Sequence, residues 1–148
     1  MNRFLSSIII ILVQFLFSES PLSARYHTYD KIDSTLHAWN NEFGLNAESS
    51  PYNALGSGII YKLIDIGNST QDGLPFWAVK LSFNADVDED QPRTLILGQC
   101  HAEEILGVEI AMEIIYMFLH PNEFGSQISA LIEILIDSEV WIVPTYNP

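Results

Sequence analysis

Thr94-Leu95-Ile96-Leu97-Gly98 runs into Gln99-Cys100-His101-Ala102-Glu103-Glu104, and from Glu103 to Leu119 the chain reads as a helix. The first five residues are short, apolar and β-branched at two positions, which suits a central strand buried on both faces. Leu106, Ile110, Ile114, Met117 and Phe118 cover a broad face of the helix, so it is expected to be mostly buried. His120-Pro121 ends it, because the residue before proline is pushed out of the helical region. Ser126 to Asp137 reads as a further helix and Val140 to Val143 as a strand, with Pro144 after it. Strands alternating with helices predict an α/β fold, a mixed sheet with flanking helices.

The antiparallel part of that sheet lies upstream. Ile59 to Ile66 has strand composition, Gly67 to Pro75 is a polar turn, and Phe76 to Phe83 alternates. Trp77, Val79, Leu81 and Phe83 fall on one side and Phe76, Ala78, Lys80 and Ser82 on the other, as a hairpin arm requires. Before the hairpin, Ile32, Leu36, Trp39 and Phe43 recur at steps of 3 and 4, predicting a helix over Asp30 to Phe43. Asp30 or Asp33 is the expected start cap and Gly44 the expected stop. Asn46 to Gly58 and the acidic Asn84 to Arg93 read as loops. Trp39, Trp77 and Trp141 fall at core-facing positions of these elements.

The 148 residues are 48% hydrophobic, enough for one domain with one core. Six Lys and Arg against 19 Asp and Glu give a net charge of −13. Such a chain repels a phosphate backbone, so nucleic acid is not an expected partner. Anionic membrane surfaces are excluded on the same ground. Arg3 followed by the uncharged Phe4 to Phe17 and then small residues describes a secretory signal, because the run is shorter than the roughly 20 residues of a spanning helix. The expected organisation is a signal peptide over 1–24 and one domain over 25–148. The product is secreted or periplasmic, with no stable membrane association after cleavage. The single Cys100 forms no internal disulfide and no thiolate zinc site. It is expected to be a buried thiol at a strand end.

The turn at the strand exit carries the candidate chemistry. Ligands of open α/β sheets sit at the C-terminal ends of strands. His101 and Glu104, three apart, can aim an imidazole and a carboxylate at one point, and zinc takes such N and O ligands at about 2.0–2.2 Å. The spacing does not choose by itself, since His27/Asp30 and His120/Glu123 share it. His27 lies near the new N-terminus and His120 at a helix end, so position favours His101. On spacing and position alone the plainer reading stands ahead: His101 is a polar cap residue and Glu104 a favourable carboxylate in the first helical turn.

Four segments, in order, resemble the zinc carboxypeptidase family, the metallocarboxypeptidases of the carboxypeptidase A type. Tyr26-His27-Thr28-Tyr29-Asp30-Lys31-Ile32 resembles the opening Tyr-His segment. Ile66-Gly67-Asn68-Ser69-Thr70-Gln71-Asp72-Gly73-Leu74-Pro75 is similar to the Ile-Gly-x-Ser-x-x-Gly-Arg-Pro hairpin turn. His101-Ala102-Glu103-Glu104 is similar to the His-x-x-Glu that supplies two of three zinc ligands. Val140 to Pro148 resembles the strand entering an Asn-Pro-Asp-Gly turn. The resemblance implies a Zn2+ cofactor held by His101 and Glu104. It also implies peptide or protein C-termini as substrates, with removal of the C-terminal residue as the reaction.

Two substitutions depart from that pattern: Leu74 and Glu103 stand where the family usually has Arg. An acid at 103 alters the electrostatics of the cleft and disfavours acidic substrates. The sequence stops at Asn147-Pro148, inside a motif. The family's third ligand, its carboxylate-holding arginines and its general-base Glu lie further on. The expectation is therefore an N-terminal fragment of a zinc carboxypeptidase, incomplete at its C-terminus and inactive alone. The alternative is an exported, non-catalytic binding module on the same fold.

Other motifs weaken on inspection. Asp86, Asp88 and Asp90 open like a calcium loop, but Gln91 and Leu97 occupy the positions that need Gly and Glu. Gly56-Ser57-Gly58 lacks the third glycine of a dinucleotide site. Asn68-Ser69-Thr70 fits a glycosylation acceptor in a eukaryotic host.

Overall fold

A computed structural model describes residues 26–148, and the leader assigned to residues 1–24 lies outside them. Helix α1 (Tyr29–Trp39) opens the described chain and continues as a π-helical turn over Asn40–Gly44. Its cap is Thr28, whose side chain accepts from the Lys31 amide, rather than Asp30 or Asp33. Two short 3-10 turns then cross the predicted loop. Strands β1 (Tyr61–Asn68) and β2 (Pro75–Leu81) form the hairpin, the first shifted two residues beyond its expected position. Strand β3 (Arg93–Leu97), helix α2 (Ile105–Leu119), a 3-10 segment over Pro121–Gln127, helix α3 (Ile128–Asp137) and strand β4 (Glu139–Val143) complete it.

The sheet has four strands in the order β1-β2-β4-β3. β1 pairs antiparallel with β2 and β2 antiparallel with β4, while β4 pairs parallel with β3. The predicted mixed sheet is therefore present. Its strands 3 and 4 are joined by a crossover through α2 and α3, the connection a parallel pair needs.

One face of the sheet is clad by helices. Tyr61, Val79, Leu81, Val140 and Ile142 pack with Ile32 and Leu36 of α1, Val108, Met112 and Ile115 of α2, and Leu131 and Leu135 of α3. Tyr61 also donates from its hydroxyl to the Leu36 carbonyl at 3.0 Å, fixing α1 on the sheet. The register places Lys62, Lys80, Trp141 and Leu95 in one row. By the alternation of strand residues, that row lies on the opposite face.

Three expectations about burial are corrected here. β3 is not a central strand buried on both faces: it is an edge of the described sheet, with Leu95 63% and Leu97 39% exposed. Only Ile96 turns into the core cluster. On α2 the expected stripe is buried only in its second half: Phe118 is buried and Ile114 and Met117 pack against the core, while Leu106 and Ile110 lie on an exposed flank and Val108, Ala111, Met112, Ile115 and Leu119 are buried instead. Trp141 points away from the helices toward Lys80, whose ammonium lies 5.8 Å from its ring centroid.

Candidate metal half-site at the exit of β3

The turn between β3 and α2 is built on close backbone contact. The Gly98 amide donates to the Val143 carbonyl at 2.9 Å, carrying the parallel pairing one residue past β3. A Cβ on Gly98 would run into the carbonyls of Pro144 and Gly107, and one on Gly107 would come within 2.8 Å of the Gln99 amide nitrogen. Both positions therefore require glycine. Gln99 follows in the left-handed region, with φ of 41°. Helix α2 begins only at Ile105, so His101 stands in the turn before it.

Within that turn His101 and Glu104 face each other. His101 Nδ1 lies 2.9 Å from Glu104 Oε1. The His101 amide donates to Glu104 Oε2 at 3.2 Å, and the Glu104 amide donates to the His101 carbonyl at 3.0 Å. Both side chains are largely in solvent, at 70% and 52% exposed. The side-chain hydrogen bond to His101, helped by the backbone one, holds the Glu104 carboxyl below its ordinary range.

The other two His-x-x-acid spacings do not close. His27 turns to Glu109, 2.8 Å from Nδ1 to Oε2, and fastens the N-terminal segment to α2. His120 bonds the Tyr116 carbonyl through Nδ1, while Glu123 accepts from the Tyr116 hydroxyl. Cys100 is exposed rather than buried, since the turn lifts it off the end of β3. The chain's last residues bring Tyr146 and Asn147 beside it. With Ile66 and Phe76 they line a cavity of about 510 Å³. Phe76 and Tyr146 stack across it at 6.4 Å.

The donor set suits a borderline cation. Neutral imidazole nitrogen and carboxylate oxygen are zinc ligands, and in a tetrahedral site two such atoms stand roughly 3.4 Å apart. The observed 2.9 Å needs only a small opening of the pair. Among the described residues no group of three or more His, Cys, Asp or Glu is placed to hold a metal, so the pair is a half-site. Gln99 and Thr145, whose hydroxyl donates to Gln99 Oε1 at 2.8 Å, brace this turn and were not found from sequence. The glycines at 98 and 107 were the only signal that something packs there closely.

Comparison with known proteins places the chain in a family. The family model for zinc carboxypeptidases matches residues 56–148. A zinc carboxypeptidase of Saccharothrix mutabilis subsp. capreolus is 38% identical over 90 residues, covering 60% of this chain and 20% of the relative. The carboxypeptidase N catalytic chain of Homo sapiens is 24% identical over 130 residues, 87% of this chain and 25% of that one. Among solved structures, carboxypeptidase A from Helicoverpa armigera superposes with a TM-score of 0.61 at 17% identity, covering 83% of this chain and 25% of that one. Thrombin activatable fibrinolysis inhibitor gives 0.60 at 15% identity, over 86% and 27%. The chain thus spans a fifth to a quarter of the length of the curated relatives it matches.

Proposed function

The chain belongs to the zinc carboxypeptidase family, and we propose that His101 and Glu104 are two of its zinc ligands, within a domain (25–148) that is the N-terminal part of a carboxypeptidase catalytic domain. The observation that carries this reading is the 2.9 Å approach of His101 Nδ1 to Glu104 Oε1 at the exit of β3. The turn presents both donors to solvent. The Glu104 carboxyl, held below its ordinary range by His101, stays ionised at neutral pH and needs no deprotonation to bind a cation. Bound zinc would supply Lewis-acid polarisation of a peptide carbonyl and a more acidic water. The cavity lined by Phe76, Cys100, Tyr146 and Asn147 offers an apolar wall beside this turn for a peptide substrate. The reaction proposed for the whole domain is release of C-terminal residues from peptides or proteins, outside the cytoplasm after removal of residues 1–24.

Zinc titration of the chain by calorimetry tests the ligand assignment. His101→Ala and Glu104→Gln should each abolish measurable binding, while His120→Ala should leave it unchanged. Equal zinc uptake by His101→Ala would refute the assignment. A non-catalytic binding module on the same fold is favoured by one observation, the exposed acid Glu103 between the two ligands. Peptide turnover in a chain that carries a complete ligand set separates the two: the module binds zinc or peptide and releases no amino acid.

A further inference from the structure

Gln99 is the non-glycine residue with positive φ among the described residues, at 41°. Glycine takes that conformation freely, and a side chain there strains the backbone. The side chain therefore has to return something, and the hydrogen bonds show what. Gln99 Nε2 donates to the Ala102 carbonyl at 2.9 Å. Its Oε1 accepts from the Thr145 hydroxyl at 2.8 Å, and Thr145 is 2% exposed. A carbonyl can only accept, so the amide has one satisfied orientation, with nitrogen toward Ala102.

We propose that Gln99 is a positioning residue for His101 and Glu104, its amide clamping the turn that carries them to the exit of β4. This rests on their assignment as zinc ligands. Ala102 lies between the two ligands in sequence, so holding its carbonyl fixes the peptide plane between residues 102 and 103 and limits how the turn on either side of it, with His101 and Glu104, can rearrange. Thr145 anchors the other end of the clamp on a residue that is itself immobilised by burial. It also precedes Tyr146 and Asn147, which line the neighbouring cavity. The clamp thus ties the ligand turn to the wall of that cavity. The backbone under Gln99 also passes close to Gly107, where an added Cβ would come within 2.8 Å of the Gln99 amide nitrogen.

The test uses the whole chain and four variants, with zinc as the probe and amide hydrogen exchange as a metal-free readout. Gln99→Gly relieves the backbone and removes the clamp. It should weaken zinc binding about 10–100-fold, the range seen for residues that orient metal ligands. Its thermal midpoint should stay at or above that of the parent, which a merely structural role would not produce. Thr145→Val should weaken zinc binding in the same direction and Thr145→Ser should restore it. In the metal-free protein, exchange at the Glu104 amide, which is bonded to the His101 carbonyl, should accelerate in Gln99→Gly and in Thr145→Val. Zinc affinities within twofold of the parent in both variants would overturn the positioning role. If His101→Ala binds zinc as the parent does, the ligand assignment fails, and the exchange result alone then decides whether Gln99 orders the turn. Unchanged exchange overturns the proposal in that case.

Discussion

Lys80 and Glu139 form an ion pair that water does not reach: Nζ and Oε1 are 2.7 Å apart, and the side chains are 5% and 0% exposed. The pair bridges β2 and β4 on the sheet face opposite the helices. Glu139 Oε2 accepts from Trp141 Nε1 at 2.9 Å and from Arg93 Nε at 2.8 Å. Lys80 Nζ donates to the Val87 carbonyl at 2.6 Å, drawing the acidic loop over the pair. The Glu139 carboxylate thus ties β4 to β3 and β2, and Lys80 adds the loop between β2 and β3.

Removing one partner leaves the other charge buried and unanswered. Glu139→Leu or Lys80→Met alone should cost about 3–5 kcal/mol of stability. The double variant should cost less than either single change, since it buries no unpaired charge. Urea unfolding of the three variants checks this. A double variant as unstable as the sum of the singles would show that the pair itself contributes little and that the loss is packing.

The same network sets an acid limit. Burial pushes the Glu139 carboxyl up, but the hydrogen bond from Lys80, followed by those from Trp141 and Arg93, outweighs it and holds the group at about 2. A carboxylate depressed in the folded state contributes stability that is complete above its unfolded value of about 4.5 and is lost as pH falls toward its folded value. The contribution is roughly 3 kcal/mol at neutral pH, lost between about pH 4.5 and 2. Urea midpoints measured from pH 7 to pH 3 should fall more steeply for the parent than for Glu139→Gln over the acid part of that range. Parallel slopes would remove Glu139 as the cause.

What was legible in the sequence follows from what leaves a periodic trace. The β2 arm was readable because Val79 and Leu81 alternate with Ala78 and Lys80, and its two sides do face different environments. Helix α2 was readable as a helix, but its buried face only in part: Phe118, Ile114 and Met117 pack inward as expected and Leu106 and Ile110 do not. Ile105 to Leu119 is apolar nearly all round, so the pattern carries no direction, and packing alone decided that Met112 is buried and Ile110 exposed. β3 failed for a related reason: apolar composition says that a strand is suited to burial, not which neighbours clad it. His101 and Glu104 were singled out by spacing and by position at a strand exit, but only the resemblance of four segments to a family made them candidate ligands, since the spacing recurs at His27 and His120. Gln99 was not, because a glutamine at positive φ has no signature in a chain read by residue type. Thr28 and Asp30 are equally good caps by chemistry, and only the backbone at Thr28 settles which one serves.

Gly98 marks where β3, α2 and β4 come closest. A methyl group there meets the backbone carbonyls of Pro144 and Gly107, neither of which can swing aside as a side chain would. Gly98→Ala should cost about 1–3 kcal/mol through overpacking. It should also displace the His101 turn. Gly56→Ala has open space for its Cβ, yet its φ of 84° lies in the left-handed region, so it isolates the conformational cost, about 1 kcal/mol, without a clash. Thermal unfolding that ranks Gly98→Ala no worse than Gly56→Ala would contradict the crowding described at this corner.

The exposed apolar residues should govern how the chain behaves in solution. Leu95 on the β3 edge and Leu106 on the flank of α2 are 63% and 62% exposed. An uncovered strand edge bearing apolar side chains is a template for association. The net charge of −13 opposes that association by mutual repulsion. The two forces can be separated by sign. Replacing Leu95 and Leu106 by lysine removes apolar surface but brings the net charge nearer to zero, so it weakens the repulsion. If the apolar surface dominates, the double variant should stay monomeric at higher concentration than the parent in sedimentation velocity, with an unchanged melting temperature because neither leucine is in the core. If charge repulsion dominates, the variant should associate more readily than the parent. The exposures at both positions, far above those of any core leucine, argue for the first result.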